Sequence, residues 1–400
     1  MRVIVALLLT AFGSVQADED IVLLANARIL TGSGTEIAKG TVVVSRGKIL
    51  DIVSDEKGQA LPAGTVIDLA GKTLIPGLID AGCTLGIAGA ANEDGEEVAP
   101  QVRIVDSLDP KSPDLMRARQ SGVTAAFVEP GNRGVIGGVA SVIRTAGESR
   151  AALIVRAESA LKGAIGPWPS QGNYPPRGGA ATFFARRPTT RMGVAWEFRK
   201  AFLDAKAARE SKEGVDPATG LLIQALEGKL PVRIAANRIT DLETALQIAE
   251  ELGLNVTLEE AQESWKCAAA LAKKNVPVLL RPVAGIVPMS GIEPVDVRLD
   301  ALTVLNRAGV KTALLPAGGP EGLLASVALA VRHGASSAEA LRAVTLSPAE
   351  ILGVAERMGS LDKGKDATLV VLSGPPHELT TRVDRVMIDG RWVFGEKVKK

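Results

Sequence analysis

From about Leu74 to Gly353, short apolar runs rich in β-branched residues alternate with stretches whose apolar residues recur at helical spacing. Few folds accept that alternation, because each strand must be followed by a helix that carries the chain back to the start of the next strand. It is the pattern of a parallel α/β barrel. Strands are expected at Thr124 to Val128, Ala152 to Val155, Val232 to Ala235, Asn255 to Leu258, Val276 to Leu280 and Val310 to Leu315. The clearest helix is Asp241 to Leu252, with Leu242, Ala245, Leu246, Ala249 and Leu252 on one face and Thr240 as its N-cap. Glu263 to Lys274, Leu299 to Ala308, Gly322 to Arg332 and Ser337 to Val344 follow the same scheme. In such barrels the chemistry sits at the C-terminal ends of the strands, so those ends are where function is to be sought.

The two ends of the chain are of another kind. Ile21 to Leu24, Thr41 to Val44, Lys48 to Val53 and Thr65 to Leu69 are short β-type runs separated by Gly-rich turns. Matching runs return at Ala367 to Leu372, Arg385 to Ile388 and Arg391 to Phe394, with the hairpin dipeptide Asp389-Gly390 between the last two. The expected fold is therefore α/β: a (β/α)8 TIM-type barrel over 73–355, beside a small composite β-sandwich built from 18–72 and 356–400.

At 400 residues with 46% hydrophobic and 23% charged, the chain can bury a large core and is not a disordered or fibrous sequence. A formal net charge of +1 gives no whole-molecule attraction to nucleic acid or anionic lipid. Met1-Arg2, the apolar run Val3 to Thr10 and the small residues before Ala17 have the three regions of a secretory signal peptide, expected over 1–17. The run is too short to span a bilayer, so the expectation is an exported protein, periplasmic or extracellular, with no membrane span. Cys83 and Cys267 fall on distant elements and are expected as free thiols.

Thr73 to Thr84, with Pro76-Gly77-Leu78-Ile79-Asp80, resembles the opening barrel strand of the amidohydrolase superfamily. The resemblance extends through Val102-Arg103 with Asp106 and Asp109-Pro110, Val135 to Gly138, Val142 to Gly147 and Thr189 to Val194. It continues through Ser347 to Gly353 and Gly359 to Ala367, and so covers about 21–396. These segments are most similar to the imidazolonepropionase-like, dipeptidase-like branch. The resemblance implies a metal-dependent hydrolase of C–N bonds other than peptide bonds, with imidazole and carboxylate ligands at the strand ends. Those ligands would hold one or two divalent ions and activate a water.

The implied ligands are missing. Gly82 and Thr84 stand where two histidines belong after the first strand, and Pro167 where relatives carry a ligating Glu. Ala235 and Asn237 fall at two further histidine positions, Glu260 at another, and Ala317 replaces the late-strand Asp that acts as general acid and base. The chain holds two histidines, His333 at a helix end and His377 in a turn, and neither is expected to take part in catalysis. The expectation is therefore no metal, no cofactor and no catalytic residue in the family sense. The function expected is that of a degenerate member acting as a binding or assembly module.

The alternative is a recast, carboxylate-rich site that hydrolyses cyclic amides, small amides or dipeptides with a divalent metal. Asp80, Glu129, Glu158, Glu259 and Glu260 are its oxygen donors, with Glu260 and Asp80 as candidate catalytic groups. The bland reading makes the same acids salt-bridge partners of Arg233, Arg238 and Arg281. Thr84, Asn237, Glu260, Arg281 and Arg191 are the expected pocket-lining residues. A loop from Lys162 to Arg191, basic and bearing Trp168, Tyr174, Phe183 and Phe184, leads over the mouth; the acidic stretch Asn92 to Glu97 can face it. The partner expected is a small molecule at the mouth or a protein, a second copy of the chain included.

Overall fold

The computed structural model describes residues 21–171, 173, 187–211, 214–281 and 294–395. The expected leader and most of the basic loop, residues 172 and 174–186, lie outside the described residues.

The chain opens with β1 (Ile21–Leu30), β2 (Glu36–Ser45), β3 (Lys48–Ser54), β4 (Thr65–Asp68) and β5 (Thr73–Pro76). A second set follows: β6 (Leu78–Cys83), β7 (Val123–Val128), β8 (Ile136–Arg144), β9 (Ile154–Ala164), β10 (Val232–Ala235), β11 (Val256–Glu259), β12 (Val278–Leu280) and β13 (Thr312–Leu314). The last strands are β14 (Leu369–Leu372), β15 (Val383–Ile388) and β16 (Arg391–Phe394). Strands from both ends form one eight-stranded sheet in the order β16-β15-β14-β5-β1-β2-β3, with β4 on β1. Its core draws on both ends as well, Leu24, Val42 and Leu74 packing with Leu361, Leu369 and Met387.

The middle strands form the second eight-stranded sheet, in chain order from β6 to β13. Leu314 N donates to Ala343 O at 2.8 Å and Ile79 N to Val344 O at 2.9 Å, so one segment bridges the sheet's two edges, β13 and β6. The fold is a (β/α)8-type barrel carrying a composite β unit.

Three features of the sheets differ from the sequence reading. The opening run is not one strand: β5 pairs with β14 in the composite sheet and β6 with β7 in the barrel. The break is at Gly77, where a Cβ would overlap Thr124 and where only a bare backbone can pass from one sheet to the other. Next, the barrel is not wholly parallel, since β8 runs antiparallel to both neighbours. The connections on either side, 129–135 and 145–153, are too short for the crossover a parallel neighbour requires. Last, Ala152 to Val155 is not a strand of its own. Residues 150–153 make a single helical turn and 154–164 the long β9, which leaves Glu158 exposed in mid-strand, far from the strand's end.

The helices are α1 (Pro113–Gln120), α2 (Arg150–Leu153), α3 (Arg191–Ser211), α4 (Pro217–Leu226), α5 (Ile239–Leu252), α6 (Ala268–Lys273), α7 (Ala301–Arg307), α8 (Leu323–Arg332), α9 (Ser337–Arg342) and α10 (Leu346–Ile351). Among the described residues no helix is long and apolar enough to cross a membrane. Helix α5 starts before Thr240, because Glu263 reaches across to accept from Ile239 N at 2.9 Å and caps the helix from another element. Residues with alternating direction divide the work in the strands. Leu161, Val232, Ile234, Val256 and Leu258 pack in the large cluster shared with the helices, and their neighbours Lys162, Arg233 and Glu259 face the barrel interior.

Candidate functional site

The barrel centre is a buried network of charge. Lys162 on β9 is 1% exposed and Arg233, its register partner on β10, 2%. Glu259, at the end of β11, pairs with Lys162 from one side, and Glu129, just beyond β7, lies 3.3 Å from the same ammonium on the other. Arg233 faces Glu259 at 3.5 Å, donates to Ala81 O at 2.8 Å and stacks over the Phe127 ring at 4.1 Å. A second group lies nearer the surface. Glu260 accepts from Arg281 through both oxygens, at 2.7 and 2.9 Å, and Arg281 also donates to Pro316 O at 3.2 Å. Glu260 adopts a left-handed φ of 58° immediately after β11, a conformation with a strain cost that its fixed bidentate pair helps to maintain.

Asp80 is also buried, and its one described backbone donor is Gly82 N at 3.2 Å. Burial pushes its carboxyl up to about 7, against the pull of Gly82 N and the Arg281 charge. Burial likewise brings Lys162 down to about 8, with Glu129 holding it up. Arg233 is lowered to about 10 for the same reason. An acid and a base thus titrate close to neutrality in one neighbourhood, both coupled to Glu129.

The positions expected to have lost metal ligands fall as follows. Gly82 is half-buried at the end of β6, and a Cβ there would come within 3.0 Å of Glu129 Oε1, 3.2 Å of Leu315 and 3.9 Å of Glu259 Oε2. Space that a larger first-strand residue would need is taken by the two carboxylates. Ala235 ends β10 in register with Glu259. Asn237, two residues on, uses Oδ1 to accept from Gln262 N at 3.2 Å. Ala317 N donates to Ser326 Oγ at 2.9 Å, tying the chain after β13 to α8. Pro167 opens a turn closed by Ser170 N at 3.2 Å. Thr84 is exposed just past β6, outside the buried network. Arg191, at the start of α3, is engaged by Asp241 at 2.8 Å beside Gly166, rather than with Glu260 and Arg281. The acidic stretch does meet the chain after the loop, where Arg187 N donates to Glu97 at 3.0 Å.

The residues present do not fit a divalent ion. Among the described residues no three His, Cys, Asp or Glu side chains are placed to share one. The two innermost carboxylates are already countered by Lys162 and Arg233, and a dication added beside two fixed cations would be repelled. A cavity of about 30 Å³ beside Arg281, lined by Gln262, Leu302, Leu314 and His333, has room for little more than one water.

The sequence places Lys162 at the start of the basic loop over the mouth, whereas it is the buried interior cation of β9. It is the one residue of Ala160 to Ile165 that is neither apolar nor glycine. His333 caps α8 as expected; His377 is half-buried against Ser337 Oγ at 3.2 Å. Cys83 and Cys267 are both free and half-buried.

Comparison with known proteins fixes the family. The Amidohydrolase family model matches residues 254–393. Amidohydrolase tasK of Hapsidospora irregularis is 24% identical over 403 residues, covering 90% of this chain and 40% of that protein. An imidazolonepropionase of Thermoplasma acidophilum is 36% identical over 83 residues, covering 20% of each. The chain thus spans less than half the length of these two curated relatives. The crystal structure of an amidohydrolase from Thermotoga maritima superposes with a TM-score of 0.85 at 32% identity, covering 94% of this chain and 100% of the other. Sharing that fold end to end at that identity, the chain belongs to the amidohydrolase family.

Proposed function

We propose that this chain does not hydrolyse C–N bonds through a metal-bound water, and that it serves, after export, as a binding or assembly module working through its barrel mouth or a subunit interface. The observation that carries the reading is Lys162, buried in the barrel and paired with both Glu129 and Glu259. A hydrolytic metal centre needs carboxylate and imidazole donors free to hold the ion and one open position for water. Here two carboxylates are engaged by fixed cations, and Gly82, Ala235 and Ala317 offer no side-chain donor. The test is a panel of cyclic amides, N-acyl amino acids and dipeptides, assayed with and without Zn²⁺ or Mn²⁺. No turnover is expected; metal-dependent turnover of any of them would sink the reading.

A second reading rests on Asp80 near 7 and Lys162 near 8, which place a proton acceptor and a donor close to neutrality. It makes the protein an active hydrolase with a recast site. It requires turnover that disappears in both Asp80→Asn and Glu260→Ala.

A further inference from the structure

Away from the barrel centre, the composite unit and the barrel border a groove of about 770 Å³. One wall is the β15–β16 hairpin, with Ile388, Arg391 and Val393; the other is the last turn of α1 and the turn after β8. Arg144, at the end of β8, is in register with Ala125 near the start of β7, so the groove lies at the end of the barrel opposite Glu129. Its charges are uneven. Arg144 is compensated, with Asp389 at 2.8 Å and Asp366 at 3.9 Å. Arg119, at the end of α1, is half-buried, and its one described partner is a backbone carbonyl, Thr145 O. Among the described residues no carboxylate lies within ion-pair distance of Arg119, nor of Arg391, exposed on the facing hairpin. Burial lowers the Arg119 guanidinium from its ordinary value, with no neighbouring acid to hold it up. Glu148 is the one other acid of the lining and is exposed, so two uncompensated guanidinium groups face a single carboxylate. A partly desolvated guanidinium is better matched by an oxyanion, which accepts two of its N–H bonds at once, than by a lone carbonyl.

We propose that this groove binds a small, multiply charged oxyanion, with Arg119 anchoring it from the barrel and Arg391 from the composite unit. The shared chemistry is that of a polycarboxylate or a phosphate ester. A ligand held from both walls ties the two units together, so its binding raises the stability of the whole chain. The site draws nothing from the barrel mouth and is independent of whether the centre hydrolyses any substrate.

Calorimetric titration and thermal unfolding of the full chain with inorganic pyrophosphate and, separately, with citrate supply the test, each against NaCl of equal ionic strength. At least one anion is expected to bind and to raise the melting temperature above the NaCl control. A response to pyrophosphate alone identifies a phosphoryl ligand, and one to citrate alone a polycarboxylate. Arg119→Gln and Arg391→Ser should each weaken that binding about tenfold, the loss of one charge-assisted pair. Should Arg119→Gln not fold, Arg391→Ser alters an exposed side chain and carries the test. Arg332→Ser, at an exposed arginine outside the groove, should leave the affinity unchanged. The proposal is overturned if neither anion exceeds NaCl, if Arg391→Ser binds as tightly as wild type, or if Arg332→Ser weakens binding as much as Arg391→Ser does.

Discussion

Lys162 is the residue on which the central arrangement turns. Taking away one partner of a buried, paired set leaves the other charge uncompensated, so Lys162→Met should cost about 3–5 kcal/mol at neutral pH, measurable by urea unfolding. Asp80 makes the opposite prediction. Its folded-state value of about 7 lies above the ordinary 3.8, so the folded protein binds the extra proton between those limits. Its contribution is complete below about pH 4 and is lost as pH rises through about 7, at a slope of up to about 1.4 kcal/mol per pH unit. Asp80→Asn removes the titration: the variant should be more stable than wild type at pH 8, with a flatter stability profile between pH 4 and 7 in denaturant titrations. These side chains were unevenly legible in the sequence. Arg233 could be matched with the strand-end acids because it sits inside a short, clearly β-type run. Lys162 could not, because Gly163, Gly166 and the prolines after it read as loop, and a lone lysine in an apolar strand is ordinarily a sign of exposure.

At the scale of elements, direction and length decided what the sequence could reveal. Helix α5 was readable from its apolar spacing, but its start was set by Glu263, a residue on the next βα connection that no local cap rule can anticipate. The antiparallel β8 was missed because Ile136 to Arg144 alternates small and β-branched residues among glycines, and its partners lie on both sides only once β9 is known to run from 154. Gly77 is the hinge between the two sheets, and its hydrogen bonds show the passage: Gly77 N donates to Thr368 O at 3.1 Å and Leu78 N to Gly122 O at 3.1 Å. Gly77→Ala should therefore cost about 1–3 kcal/mol through overlap with Thr124. Thr124→Ala added to it should return part of that loss, less the hydroxyl's own bond to Leu78 O at 3.3 Å, in a double-mutant cycle.

The whole molecule is held together by the pairing of its ends. β14 bonds to β5 along Thr73 to Pro76, and the composite core takes Leu361, Ala367, Leu369, Val371 and Met387 from the last part of the chain. A chain ending at Gly353 would expose β5 and strip that core, so it should fail to give the single cooperative transition expected of the full chain in calorimetry. This architecture was the most legible level, because alternation of strand and helix and the return of β-type runs at the C-terminus are repeated over hundreds of residues. The chemistry of the centre was legible only as an expected absence of ligating histidines, which says nothing of what the barrel interior holds. The structure places there an ammonium paired with two carboxylates. Metal analysis tests it most directly: the full chain is dialysed against Mn²⁺ and then against metal-free buffer. The chain should retain no stoichiometric metal; one or more Mn²⁺ ions bound per chain would contradict the account.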